Sequence, residues 1–151
     1  MNHSNCLFCR IGSGEVPARI VAETDDVVAF LDIRPIREGH VLVMPKPHHA
    51  YFDDMPPALT QQVMGVAQRL APVLRSEFGV ERVGLLFSGV DIAHAHAHLV
   101  PMVEPTDLTS PRYFEEKQLT FRPAPLADGG QLDATAERIR NGLARHADSG
   151  A

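Results

Sequence analysis

Three histidines stand at alternate positions in His94-Ala95-His96-Ala97-His98. Imidazole titrates near neutrality, ligates metals and, when neutral, attacks electrophiles. Successive side chains of a β-strand point to opposite faces. In a strand the three rings therefore share one face, about 6.6 Å apart, with Ala95, Ala97 and Leu99 on the other. Each ring carries two nitrogens that need partners once buried, so three in a row make poor core filler and suit group transfer.

Cys6 and Cys9 are the chain's two cysteines and form a CxxC pair. Such a pair is either a redox dithiol or half of a metal site, and a structural zinc site needs two further donors. A different metal arrangement is also open: His94 and His96 chelating one catalytic zinc, with His98 or His40 nearby. That arrangement gives the CxxC and Asp32 no task.

The elements that must position these groups follow from the apolar pattern. Residues 7–13 suit a short helical turn, ended by Gly12 and Gly14. Residues 19–23 and 27–31 read as strands around the turn Thr24-Asp25-Asp26, and 39–46 as a third strand after a loop containing Pro35. Pro56 and Pro57 suit a helix start. Leu59, Val63, Val66, Ala67, Leu70, Val73, Leu74 and Phe78 then recur at helical spacing, with Pro72 expected to kink the helix. Residues 83–88 and 94–102 are the fourth and fifth strands. Hairpins and one long helical connection make the sheet mainly antiparallel. Residues 104–130 read as irregular, 132–146 as a C-terminal helix using Ile139 and Leu143, and 147–151 as a fraying end.

At 151 residues the length fits one domain. The net charge of −5, without a basic run, argues against nucleic acid or a membrane surface as main partner. No apolar stretch is long enough to span a bilayer. The first nine residues carry no basic-then-apolar leader, which sets the expectation of a cytoplasmic protein with reduced thiols.

Four blocks occur in order: Cys6-Leu-Phe-Cys9-Arg-Ile, Val28-Ala-Phe-Leu-Asp-Ile, Gly39-His-Val-Leu-Val-Met-Pro-Lys-Pro-His48 and the triad. In that order and spacing they resemble the histidine-triad (HIT) family of nucleotide hydrolases and transferases, in its zinc-binding CxxC branch, over residues 6–102. The resemblance implies an α+β, HIT-like fold: a mainly antiparallel sheet of about five strands with two main helices. It implies a core over 1–105, and a C-terminal extension over 106–151 with a helix packed on the same domain or on a partner subunit. A homodimer would use the long helix and the fourth strand.

For the site, the resemblance makes His96 the nucleophile on an α-phosphorus, through a nucleotidyl-histidine intermediate. A backbone carbonyl near His94 would hold its tautomer. His98 would contact phosphate or protonate the leaving group, and His40 would orient the triad from behind. Asp32 would accept the ribose hydroxyls of a purine nucleotide or nucleotide conjugate. Phe8, Ile11, Phe30, Ile33 and Leu42 would form an apolar slot for the base, and Ser88 and Gly89 would hold phosphate. Cys6, Cys9, His48 and His94 would bind a structural Zn²⁺, with His49 the rival of His48. Substrates of phosphoramidate or dinucleoside polyphosphate type are implied; the alternative is a zinc-stabilised nucleotide-binding protein with little or no turnover. One stretch departs from the family pattern. Gly-Gln-Ser or Gly-Gln-Thr commonly precedes the triad, whereas here Val90 and Asp91 take the Gln and Ser positions. Val90 offers no donor, and an ionised Asp91 repels a phosphate.

Overall fold

The computed structural model describes residues 5–88, 91–108 and 124–148. In chain order it contains α1 (Leu7–Gly12), β1 (Ile20–Glu23), β2 (Val27–Leu31), β3 (Val41–Pro45), α2 (Pro57–Phe78), β4 (Arg82–Ser88), β5 (His96–Met102) and α3 (Gly129–Asp148). A single 3₁₀ turn, Phe52–Asp54, precedes α2. The five strands form one antiparallel sheet in the order β1-β2-β3-β5-β4. The expected α+β architecture, with two main helices, is what the chain adopts.

Alternation along the strands divides the sheet's two faces. Val27, Ala29, Leu31, Val41, Val43, Ala97 and Leu99 face one way, into a core completed by Val63, Leu70 and Leu74 of α2 and Leu132, Ala136 and Ile139 of α3. Phe30, Leu42, His98 and Leu86 lie in register across β2, β3, β5 and β4 and face the other way. There Phe8 and Ile11 of the short α1 cover Val28, Phe30, Leu42 and Met44. The strands β2 and β3 are therefore buried on both sides, which explains their nearly unbroken apolar sequence.

The helix α2 runs without a break through Pro72, which lies on its exposed face. There the carbonyl that proline's missing N–H leaves unpaired can meet water. The helix ends at Gly79 in the left-handed region, φ 62°. Its last residue, Phe78, packs over Gly39, whose φ of +84° also needs glycine. A Cβ built at Gly39 would lie 2.4 Å from the Phe78 ring, and the guanidinium of Arg138 of α3 lies over that ring, 4.5 Å from its centre. Gly39→Ala combines a strained φ with overpacking, so it is expected to destabilise the fold by about 2–4 kcal/mol. Denaturant titration checks this, and an unchanged midpoint would contradict it.

Most boundaries differ by a few residues at most from those expected, and three of the shifts have a visible cause. The strand β3 starts at Val41 because Gly39 is turned out of the extended region. The strand β5 starts at His96, since the His94 N–H is bonded to the Ile92 carbonyl at 2.8 Å in a turn. The helix α3 starts at Gly129, two glycines notwithstanding, because the Asp128 side chain accepts the Gln131 N–H at 3.0 Å as an N-cap. It continues to Asp148, so 147 and 148 are helical; 149–151, and 109–123 of the segment read as irregular, lie outside the described residues.

Candidate active site and metal centre

The triad histidines divide between two sites. The ring of His94, just before β5, meets the cysteine pair at α1. Its Nδ1 lies 3.5 Å from both Cys6 Sγ and Cys9 Sγ, while His48 Nδ1 lies 3.3 Å from Cys9 Sγ. The alternation expected of the three rings holds: Ala95, Ala97 and Leu99 pack into the core on one face, and on the other the Phe8 ring of α1 meets both His94 and His96. The turn at Ile92–His94 and the bond from the Ala95 N–H to the His49 carbonyl (2.7 Å) place His94 just ahead of the strand ladder. That bond uses the backbone of His49, while the ring of His48 joins the cysteines.

These four side chains fit a zinc ion. Their donor atoms all lie within 4.8 Å of one another. Tetrahedral zinc, with bonds of about 2.3 Å to sulfur and about 2.0 Å to nitrogen, sets S···N separations near 3.5 Å. The tautomer of His94 is also right. Its Nε2 lies 2.8 Å from the Pro45 carbonyl, which accepts only, so the proton sits on Nε2 and the Nδ1 lone pair faces the thiols. Burial, then the hydrogen bond and charge of Cys6, push the Cys9 thiol up to about 11. A bound cation reverses that logic and holds both sulfurs as thiolates.

His96 opens β5 and is buried at 6% exposure, its ring centre 5.0 Å from that of Phe8 in a T-shaped pair. Its Nδ1 lies 2.6 Å from the His94 carbonyl oxygen. A carbonyl can only accept, so Nδ1 carries the proton and Nε2 keeps its lone pair. The metal-centred alternative for His94 and His96 does not match this arrangement: one ring faces the cysteines and the other is committed to a carbonyl.

His98 belongs to a chain of contacts whose proton positions can be worked out. The Ile36 N–H donates to His40 Nδ1 at 3.2 Å, so the neutral His40 ring carries its proton on Nε2. That nitrogen lies 3.0 Å from His98 Nδ1, which must then accept. His98 Nε2–H is left to donate, and Ser88 Oγ lies 3.0 Å away. Burial, followed by the charges of His96 and His40, brings His98 down to about 4. Burial likewise lowers His40, against the opposing charge of Asp32. Both rings are therefore neutral at pH 7. Asp32, His40 and His98 are close enough to suggest a second metal cluster, but a protonated His40 Nε2 is no ligand, and the His40–His98–Ser88 bonds orient the His98 ring.

Asp32 follows β2. One carboxylate oxygen accepts the Arg34 N–H at 2.8 Å, and the other lies 3.6 Å from His40 Nδ1. It is thus a turn-forming aspartate and a neighbour of His40 at once. Phe8, Ile11, Phe30 and Leu42 come together as expected, with Phe8 and Phe30 edge to face at 5.6 Å. Ile33, next to Asp32, is 51% exposed. Gly89 and Val90 lie outside the described residues.

Three contributors carry no sequence signature because they are backbone groups: the Ile36 amide and the carbonyls of Pro45 and His94. A fourth, the pair of Arg37 with the buried Asp107 carboxylate (2.8 Å), had a readable charge at both ends but no local spacing to link them. Asp107 also accepts the N–H groups of Val103 and Glu104 at 2.9 Å each. Its bond to Arg37, ahead of the backbone donors, holds this carboxyl below the usual range. The clamp ties the chain after β5 to the loop that leads into His40.

Comparison with known proteins gives a consistent picture. The chain matches the HIT domain model over residues 13–104. An uncharacterized HIT-like protein of Methanocaldococcus jannaschii is 38% identical over 104 residues, covering 66% of this chain and 80% of that one. An adenosine 5'-monophosphoramidase of Saccharomyces cerevisiae is 36% identical over 97 residues, 64% of this chain and 61% of the yeast protein. The solved structure of a zinc-bound histidine triad family protein from Mycobacterium smegmatis superposes with a TM-score of 0.76 at 27% identity, covering 98% of this chain and 99% of that one.

Proposed function

This chain belongs to the HIT domain family, and from that premise we propose that it is a nucleotide hydrolase or nucleotidyl transferase acting on the α-phosphate of a nucleoside-monophosphate conjugate. The observation that carries the reading is the 2.6 Å contact between His96 Nδ1 and the His94 carbonyl. It supplies what a nucleophilic imidazole needs, a proton held on one nitrogen and a free lone pair on the other.

In the first step His96 Nε2 forms a bond to the α-phosphorus as the bond to the leaving group breaks. The leaving atom departs with that electron pair, accepts a hydrogen bond from His98 Nε2–H and takes a proton from solvent. His40 Nε2–H, donated to His98 Nδ1, holds the neutral His98 ring in that orientation. In the second step water displaces His96 from phosphorus and gives up its proton to solvent, releasing the nucleoside monophosphate. Transfer to an acceptor other than water follows the same path. Asp32 receives the ribose hydroxyls, and Phe8, Ile11, Phe30 and Leu42 provide the apolar wall beside a purine base.

Zinc held by Cys6, Cys9, His48 and His94 is structural, since four protein donors leave no open position for substrate. The chain's own contribution at that centre is His94, whose ring would be fixed by the metal and whose carbonyl orients the nucleophile.

A homodimer through α2 and β4 belongs to the same reading. The strand β4 is an edge of the sheet, and it carries Leu85 and Leu86 at 42% and 44% exposure, near Met64 of α2 at 40%. A groove of about 470 Å³ runs between Met64 and Leu85. An exposed apolar edge strand invites pairing with a second copy. Sedimentation equilibrium is expected to give twice the chain mass, and Leu85→Glu the single-chain mass; a monomeric wild type would contradict it. Among the described residues no helix is long and apolar enough to cross a membrane.

Release of AMP from adenosine phosphoramidate or from diadenosine polyphosphates by the zinc-loaded protein tests the function. His96-dependent release is expected, and tight AMP binding with no release from either class would favour the nucleotide-binding alternative.

A further inference from the structure

The loop between β2 and β3 runs from Asp32 to His40, and its two ends meet: the Asp32 N–H donates to the His40 carbonyl at 3.0 Å. Inside it, the Arg34 N–H holds one Asp32 carboxylate oxygen at 2.8 Å. The carboxylate therefore follows the backbone of Arg34. The C-terminal part of the chain grips this loop from outside. The Ile33 carbonyl accepts the Ala127 N–H at 2.9 Å, and Arg34 Nη1 donates to the Ala124 carbonyl at 2.9 Å. Further along, Thr135 Oγ1 donates to Glu38 at 3.1 Å. These partners stand on a fixed base. Leu132, Ala136 and Ile139 of α3 are buried in the core, and Arg19 holds Asp133 at 2.9 Å while Arg140 holds the Ile20 carbonyl at 2.7 Å. Residues 124–127 thus form a brace between α3 and the Asp32 turn. All three grips come from beyond residue 104, where the match to the HIT domain ends.

Resting on the reading above, in which Asp32 receives the ribose hydroxyls, we infer that residues 124–127 belong to the nucleoside site and that Arg34 is a positioning residue. Anchored on the Ala124 carbonyl, Arg34 sets the angle of the Asp32 carboxylate for a vicinal diol. Each carboxylate oxygen has two lone pairs, so the one holding the Arg34 N–H can still accept a hydroxyl. A diol makes both of its bonds only to a carboxylate held at one orientation, and a carboxylate held in advance loses less freedom on binding. The ligand class favoured in this way is a ribonucleotide, against a nucleotide without the 2′ and 3′ hydroxyls. The guanidinium acts through the backbone and not on the phosphate.

Calorimetry on the zinc-loaded protein, with AMP and with its 2′,3′-dideoxy analogue, tests this without requiring turnover. Arg34→Ala is expected to weaken AMP about fivefold, the size of one net hydrogen bond, and to leave the dideoxy nucleotide within about twofold. Arg34→Lys keeps a donor and should recover part of the loss. Ala127→Pro removes the N–H that Ile33 accepts and should reproduce the Arg34→Ala pattern from the other anchor of the brace. In an Asp32→Ala background the Arg34 substitution should add nothing, because a residue acting through Asp32 is fully coupled to it in such a cycle. An equal loss for both nucleotides means that the guanidinium meets the phosphate directly, and overturns the proposal. An AMP-to-dideoxy ratio unchanged in both Arg34→Ala and Ala127→Pro overturns it too. A wild type that binds the two nucleotides alike, or neither, removes the ribose role of Asp32 and the brace with it. A wild type that prefers AMP yet releases none from its conjugates refutes the hydrolase, and the affinity ratios still decide the brace.

Discussion

Replacing His96 with alanine is expected to lower kcat on a nucleotide conjugate by a factor of about 10⁴ or more, because it removes the bond-forming atom itself. AMP affinity should fall far less, since Asp32 and the apolar wall remain. Steady-state kinetics and calorimetry on the same preparation separate the two effects. The proton arrangement makes the expectation specific. With Nδ1–H committed to the His94 carbonyl at 2.6 Å, the attacking nitrogen is Nε2; the other carbonyl-fixed ring, His94, has its free Nδ1 against the cysteines. Two displacements at phosphorus also require net retention of configuration, which a chiral phosphorothioate conjugate reads directly. A variant keeping activity within tenfold of wild type, or inversion at phosphorus, would contradict a histidine nucleophile.

How much of this was legible depends on whether a side chain or the backbone carries the information. Alternation places His96 and His98 on one face and Ala97 and Leu99 on the other, because a strand's period is two and the register follows. The same rule places the His94 ring on the α1 side with them, but not the strand start, because backbone bonds to Ile92 and His49 turn the chain before the ladder begins. Histidine spacing alone left His48 and His49 as rivals, and the resemblance pointed to His48. The Ile36 amide fixes the proton positions of His40 and His98, yet any residue at 36 except proline would supply it. The N-cap at Asp128 was readable as a residue type, but the two glycines after it outweighed it in the helical pattern.

Removing the metal is expected to have the second large effect. Cys6 and Cys9 belong to the α1 end of the chain, His48 follows β3, and His94 precedes β5. A zinc ion bound by them joins three segments that are distant in sequence. Structural zinc in small domains is worth on the order of 10 kcal/mol of apparent binding. This chain has its own apolar core, so a smaller net loss, about 4 kcal/mol, is expected on full removal. For a domain of this size that corresponds to a fall in Tm of roughly 8–16 °C. Metal analysis should find one zinc per chain in wild type and little in Cys9→Ser. Thermal unfolding before and after a strong chelator measures the stability term. An unchanged Tm in protein shown to be metal-free would mean that the four side chains hold their positions by packing alone. Because the His94 carbonyl orients His96, chelation should also lower kcat more than it weakens AMP binding.

The most direct test of the account is intact-protein mass spectrometry after rapid acid-free quenching of the zinc-loaded protein with adenosine phosphoramidate, with fragmentation to locate any adduct. The account predicts a transient mass increase of one adenylyl group on His96, absent in His96→Ala. Rapid AMP release with no adduct at any time point, or an adduct on another residue, would contradict it.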